Sequence, residues 1–329
     1  MDPLTHALSG AALARAIPGE PLPRTKVILL ILLAMAPDAD FVLKFFSDAL
    51  YLEYHRGVTH SVLMLPLWTW LIYALLPNRR SAEPLMPWLI GMALAMHIFL
   101  DLITSFGTML LAPVSDWRAA LDLVFIIDPV FTACLALPLV LMFIWENKAR
   151  MLAACALILM FSYVGLTGYS HYSAVNLTKS ENPQALSCAA LPLPFSPFHW
   201  QLIATYPDHY RRASVDLFPA FPGTSAMFPT TLTTPYLQQL TAPEKLQWQS
   251  LTRMDSINLE QGLPGVSFYR WFSRFPVLLA RDATHYEFGD LRFYAGVEGM
   301  DSSFKLRIKR GKNPKAWLLW RKKARTPLD

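Results

Sequence analysis

Long apolar runs broken by isolated polar residues fill the first half of the chain, and short alternating stretches fill the second. Five runs, at residues 26–46, 61–76, 86–111, 123–145 and 151–169, are long enough or nearly so to cross a hydrocarbon core of about 30 Å. A sixth, at 4–17, is shorter; it reads as a partly inserted helix ended by Pro18 and Gly19. Beyond residue 171 the period changes to two: in the segment 303–309, Phe304, Leu306 and Ile308 share one face. Comparable strand patterns fall at 199–205, 213–218, 267–272, 286–294 and 316–320, and the Pro-rich region 191–235 reads as an irregular linker or loop. The pattern therefore predicts a polytopic α-helical membrane domain of five to six helices over 1–170, followed by a β-rich soluble domain over 171–329.

Composition supports this division. The chain is 53% hydrophobic and only 16% charged, more apolar than a soluble protein of 329 residues. Its formal charge of +5 belongs to the second half, because residues 1–170 hold 10 Lys+Arg against 12 Asp+Glu. The basic tail from Lys305 to Arg325 either lies against anionic lipid headgroups or forms a solvated basic strand pair. Charge without a reading motif excludes nucleic acid as a partner. Cys134, Cys155 and Cys188 suggest no disulfide framework. The first residues lack a basic leader and carry Asp2 and His6, so they read as retained.

If the runs are spans, Arg15, Arg24, Lys26, Arg79, Arg80, Lys148 and Arg150 lie in alternate connections, which the positive-inside rule places in the cytoplasm. The expectation is a multi-pass membrane protein whose C-terminal domain faces outward, which in a bacterial cell is the periplasm. Asp2, His6, Asp38, Asp40, His55, His60, Asp101 and Asp128 then fall toward one outer side, with His97 a turn deeper.

These residues carry the candidate chemistry. In HIFLD, His97 and Asp101 are four residues apart, one turn on one helix face, as chelation of one ion requires. The alternative is a buried His–Asp hydrogen bond with no metal. PDAD sets Asp38 and Asp40 just after Pro37, a residue that interrupts a helix and frees the backbone to turn both carboxylates inward. They serve as a ligand plus a bridging or proton-accepting carboxylate, or as two hydrated acids. In HRGVTHS, His55 and His60 flank a turn and can approach the site as further ligands or stay solvated, and Arg56 between them offers a planar clamp for phosphate or carboxylate. DPLTH adds His6 as a ligand and Asp2 as a helix cap. Thr104, Ser105, Gly107 and Asp128 line the entry or support the ligands. A His and carboxylate set without cysteine suits zinc, with manganese or iron open.

With DPLTH, PDAD, HRGVTHS, HIFLD and TSFGTMLLAP in this order, residues 1–145 resemble the membrane-bound metal-dependent hydrolase family, the YdjM-type bacterial inner membrane proteins. That family is distantly similar to the zinc-dependent phospholipase C group, which uses a HxxxD helix. The resemblance implies His6, Asp38 or Asp40, His60, His97 and Asp101 as ligands of one or two ions, with the remaining PDAD carboxylate as general base. The expected function is hydrolysis of an ester or phosphoester, of a small molecule or of a lipid reaching the site from the bilayer. An ion-coupled transporter and a non-catalytic assembly protein held together by its metal are the alternatives.

Overall fold

The computed structural model describes residues 1–19, 21–77, 84–219, 239–259, 264–293, 303–310, 315–320 and 324–327. It divides into two compact units, one of residues 1–41, 54–169 and 194–197, the other of 42–53, 170–193 and 198–329.

Seven helices precede the first strand among the described residues: α1 (Pro3–Ala16), α2 (Arg24–Met35), α3 (Asp48–Tyr54), α4 (Leu65–Leu75), α5 (Met86–Leu102), α6 (Pro129–Leu141) and α7 (Ala149–Glu181). Their lengths correct the expected polytopic bundle of five to six spans. At about 1.5 Å per residue, an α-helix needs roughly 20 residues to cross a bilayer. The α2, α4, α5 and α6 helices have 12, 11, 17 and 13 residues. Among the described residues, one helix, α7 with its preceding turn, is long and apolar enough to cross a membrane, or two spans exist if the pair 48–60 and 65–75, bent by 75°, counts as one broken span.

Proline explains the shortfall. Pro66, Pro87 and Pro129 sit in the first turns of α4, α5 and α6, where their missing N–H costs nothing. Pro37 follows the end of α2, and the chain continues as a 3-10 helix, Ala36–Phe45. The apolar runs are thus short packed helices with breaks between them. With the spans gone, alternating charged connections no longer sort residues between membrane faces; Arg79 and Arg80 also lie outside the described residues.

The N-terminal unit has two apolar cores that share α1 and α5. One gathers Ala12, Leu100, Ile103, Phe131, Leu135, Ala156 and Met160; the other packs Leu30, Leu33 and Ala34 of α2 against Leu89, Ile90 and Ala93 of α5. Helices α1 and α2 cross closely at Gly10, where a Cβ would lie 2.8 Å from both Ala34 Cβ and Leu30 O. The exterior stays apolar: α4 buries none of its residues, and Trp70, Trp88 and Ile127 are exposed.

The second unit carries two antiparallel sheets. The first has the order β1 (Ser187–Pro192), β2 (His199–Thr205), β3 (His209–Asp216), β4 (Gln249–Thr252). The second runs β5 (Pro276–Arg281), β6 (His285–Asp290), β7 (Lys305–Lys309), β8 (Ala316–Trp320), β9 (Ala324–Pro327). The stretch 267–272, read as a strand, is instead part of helix α8 (Pro264–Phe272). Its buried Val266, Tyr269 and Phe272 recur every three residues, a helical spacing. The expected linker 191–235 contains β2 and β3, and its part from 220 onward lies outside the described residues.

Candidate metal centre

Four segments of the N-terminal unit bring polar groups to one place. Helix α1 begins with Asp2 as its cap, accepting from the Thr5 N–H at 3.0 Å and the Thr5 hydroxyl at 2.6 Å, and this sets His6 on the first turn. The 3-10 turn after Pro37 carries Asp38 and Asp40. A tight turn at Arg56, whose φ is +60°, leads to Gly57, where any Cβ would meet Tyr54 O at 2.8 Å, and then to His60. Helix α5 presents His97 and Asp101 one turn apart.

His6, His60, His97 and Asp101 are completely buried, whereas the Asp38 side chain is 25% exposed. The His60 Nε2 atom lies 3.0 Å from His97 Nε2, 3.4 Å from Asp38 Oδ1 and 3.0 Å from Asp101 Oδ2. From His97 Nε2 the same two oxygens are at 3.6 and 3.5 Å.

The outer nitrogens fix which atoms carry protons. His97 Nδ1 is 2.7 Å from the Ala34 carbonyl, which can only accept, so Nδ1 is the donor. The Thr59 hydroxyl donates to Asp40 Oδ2 at 2.9 Å and therefore accepts from His60 Nδ1, also at 2.9 Å. In a neutral ring the second nitrogen is then bare. The two Nε2 atoms face each other 3.0 Å apart beside two carboxylate oxygens, close enough to share a proton or a cation. No hydrogen bond reaches Asp101 Oδ2 or either nitrogen of His6.

A proton shared between the two rings or a metal cation at the centre would satisfy these groups. A tetrahedral zinc with ligand distances of roughly 2.0–2.1 Å separates its donor atoms by about 3.3 Å. The measured separations of 3.0–3.6 Å bracket that value. The residues present fit a divalent cation, and the mixed nitrogen and oxygen donors suit zinc, manganese or iron.

Asp40 and His55 stand alongside. Asp40 Oδ1 pairs with His55 Nδ1 at 2.7 Å, and Oδ2 accepts from the Arg56 N–H at 3.1 Å as well as from Thr59. Burial alone would push the Asp40 carboxyl up, but the His55 partner and the Thr59 hydrogen bond hold it below its ordinary value. Asp38, Asp40 and His55 also offer ligand atoms within 4.8 Å of one another. Asp40 is in place to orient His60, and the tautomer of His60 depends on it through Thr59.

Arg56 does not face an open clamp. Its Nη2 pairs with Asp101 Oδ1 at 2.8 Å, its Nη1 donates to Thr104 Oγ1 at 2.9 Å and Asp101 O at 3.2 Å, and the guanidinium lies 4.9 Å from the Phe106 ring. The terminal amine of Met1, fully buried, also pairs with Asp101 Oδ1. Gly107, at φ +96°, opens the loop that returns through the Thr108–Ala119 bridge, and Met109 N–H donates to Arg56 O at 2.9 Å. Asp128 is remote in role: it caps α6 and accepts from Tyr163 at 2.7 Å. Ser105 Oγ is buried without a hydrogen-bond partner.

No side-chain spacing in the sequence marks the Ala34 carbonyl, the orienting part of Thr59 or the Met1 amine. Thr59 had a signal, since a hydroxyl beside a candidate ligand is a natural partner for its second nitrogen. A backbone carbonyl on a different helix leaves no trace in side-chain spacing.

Comparison with known proteins agrees on the N-terminal half. A Bacillus subtilis (strain 168) relative, "Uncharacterized protein YfhP", is 34% identical over 138 residues, which cover 39% of this chain and 42% of that protein. The chain thus spans less than half the length of this relative. No solved structure matches. A family model described as YdjM inner membrane protein matches residues 1–174, the stretch that holds every residue of the centre, and the chain belongs to that family.

Proposed function

We propose that this protein is a metal-dependent hydrolase of an ester or phosphoester carried by a lipid or small molecule. The reading is carried by the two imidazole nitrogens 3.0 Å apart, facing Asp38 and Asp101 in one four-residue ligand set. A divalent ion held by His60, His97, Asp101 and Asp38 would lower the pKa of a bound water and supply hydroxide at neutral pH.

The chain's own groups have distinct parts. His60 and His97 are held through Nδ1 by Thr59 and the Ala34 carbonyl, with their Nε2 atoms inward. Asp101 is held by Arg56, which offsets its charge while leaving Oδ2 available. Asp38, alone of the four in reaching solvent, is the exchangeable corner where water and substrate enter. The apolar exteriors of Leu111, Val114, Trp117 and Leu121, on the loop bonded to the segment around Arg56, favour a substrate with a lipid portion.

Elemental analysis of detergent-purified protein tests this, together with a screen against phosphodiesters, phosphomonoesters and lipid esters. We expect bound divalent metal, metal-dependent turnover of one class, and loss of both in His97→Ala. Protein that holds no metal and behaves like His97→Ala overturns the reading. Metal without turnover of any ester assigns the ion a structural part, which the four-residue ligand set also allows.

A further inference from the structure

The second sheet gathers positive charge at one end. Strand β5 ends at Arg281, β6 starts at His285, β7 ends at Lys309 and β8 starts at Ala316, so the antiparallel order brings Arg281, Lys309, Arg310 and Lys315 to the same end. Arg281, Lys309 and Lys315 are exposed, and Arg310 is half-buried. The stretch 302–328, which makes β7, β8 and β9, holds ten Lys+Arg and no Asp or Glu.

This end is held firmly. The Arg310 N–H donates to Thr284 O at 2.7 Å, the Lys309 N–H donates to Lys315 O at 2.9 Å, and the Arg310 side chain donates to the Asp282 carbonyl. The acid in this turn, Asp282, is already engaged by the Thr284 N–H and hydroxyl and the His285 N–H. Cations fixed side by side repel one another unless an outside anion balances them. Aromatic rings stand among them: Tyr286 lies between Arg281 and Arg310, with Cζ atoms 5.5 and 4.8 Å from its ring, and Trp317 lies beside His285 with ring centroids 6.3 Å apart.

We propose that this end of the second sheet docks on an anionic bilayer surface, with Arg281, Lys309, Arg310 and Lys315 against lipid phosphates. Basic residues beside Tyr and Trp suit the headgroup layer, where phosphates take the cations and the rings sit at the interface. The chain also keeps a bilayer within reach: α7, long and apolar enough to cross one, runs to Glu181, and β1 begins at Ser187. The proposal does not depend on the metal centre.

Full-length protein in lipid nanodiscs tests it by energy transfer from a dye on Ala283→Cys, an exposed position between β5 and β6, to acceptor-labelled headgroups. The native chain, labelled alike, gives the background from Cys134, Cys155 and Cys188. Transfer is expected to rise when phosphatidylglycerol is mixed into phosphatidylcholine. It should fall back as salt shortens the screening length from about 10 Å at 0.1 M to about 3 Å at 1 M. Each basic residue near an anionic surface strengthens docking about five-fold. Lys315→Gln should therefore weaken it by about that factor, and the combined change of Arg281, Lys309, Arg310 and Lys315 to Gln by at least about 100-fold. Equal transfer in both lipids overturns the proposal, which is also the result if this surface serves an acidic protein. Lipid-dependent transfer that survives the combined change places the docking surface elsewhere and overturns it too. Should the combined variant fail to fold, Lys315→Gln and the salt series decide.

Discussion

Two aspartates, one in each unit, are buried to the same degree and spent in opposite ways. Asp290 has no exposed surface, and both of its oxygens are used: Oδ1 accepts from the Arg292 N–H, and Oδ2 accepts from the Arg274 N–H and from Arg292 Nε and Nη2, all at 2.8–2.9 Å. The Arg292 guanidinium in turn lies 4.9 Å from both Phe272 and Phe293 and donates to the Phe272 carbonyl. Asp101 is equally hidden, yet its Oδ2 has the His60 and His97 Nε2 atoms at 3.0 and 3.5 Å for neighbours and no hydrogen bond. Burial therefore does not distinguish a structural carboxylate from a ligand. The donor count does: a structural charge is satisfied by the fold, and a ligand keeps an unmet demand.

The sharpest way to break this comparison is to neutralise each aspartate. Asp101→Asn is expected to weaken metal binding by at least about 100-fold, more than the loss typical of a merely supporting partner. Titration calorimetry with zinc reads this, and unchanged affinity would make Asp101 a second Asp290. The reciprocal change, Asp290→Asn, is expected to cost about 3–5 kcal/mol by stranding Arg292. Denaturant unfolding of the second unit should show that cost while metal content stays at the native level. A loss of metal in this variant would mean that the two carboxylates are not independent.

A smaller effect tests the orienting hydroxyl. Thr59→Val keeps the shape and removes the link between Asp40 and His60, and metal affinity should fall by about 10-fold or more. If affinity holds, His60 finds its tautomer without Asp40. Smallest is the titration of an exposed acid, Asp282, in the turn between β5 and β6. It accepts from the Thr284 N–H and hydroxyl and from the His285 N–H, and these bonds pull its pKa down to about 2. Because the folded value lies below the unfolded one of about 3.9, the turn's contribution is present above that pH and lost as pH falls toward about 2. Carboxyl resonances followed by NMR would show it, and an ordinary value would mean the turn is open in solution.

How far the sequence could be read depended on whether the signal was local. The pairing of His97 with Asp101 is a fixed spacing on one helix, so it was visible before any fold. Strands β2 and β8 occupy the residues whose alternation marked them. Residues 267–272 misled because a short aromatic run suits either period; Pro264 at the start of α8 was the overlooked cue. The spans failed for a related reason: an apolar run records what is buried or lipid-facing, and only its breaks record helix length. Pro37, Pro66, Pro87 and Pro129 are those breaks. The convergence of Asp38, His60 and His97 was expected from a shared membrane side; in the structure it comes from helices crossing. The tautomers of His60 and His97 were out of reach, since they depend on a hydroxyl and a carbonyl that only the fold supplies.

The crossing at Gly10 gives the centre an unusual point of failure. The residue has no functional atom, yet it lies one helical turn from His6, and its neighbour across the gap, Ala34, supplies the carbonyl that orients His97. A single added methyl would wedge the two backbones apart and misalign both imidazoles together. Inactivating substitutions in a random screen should therefore gather at these two plain positions as well as at the ionisable ones.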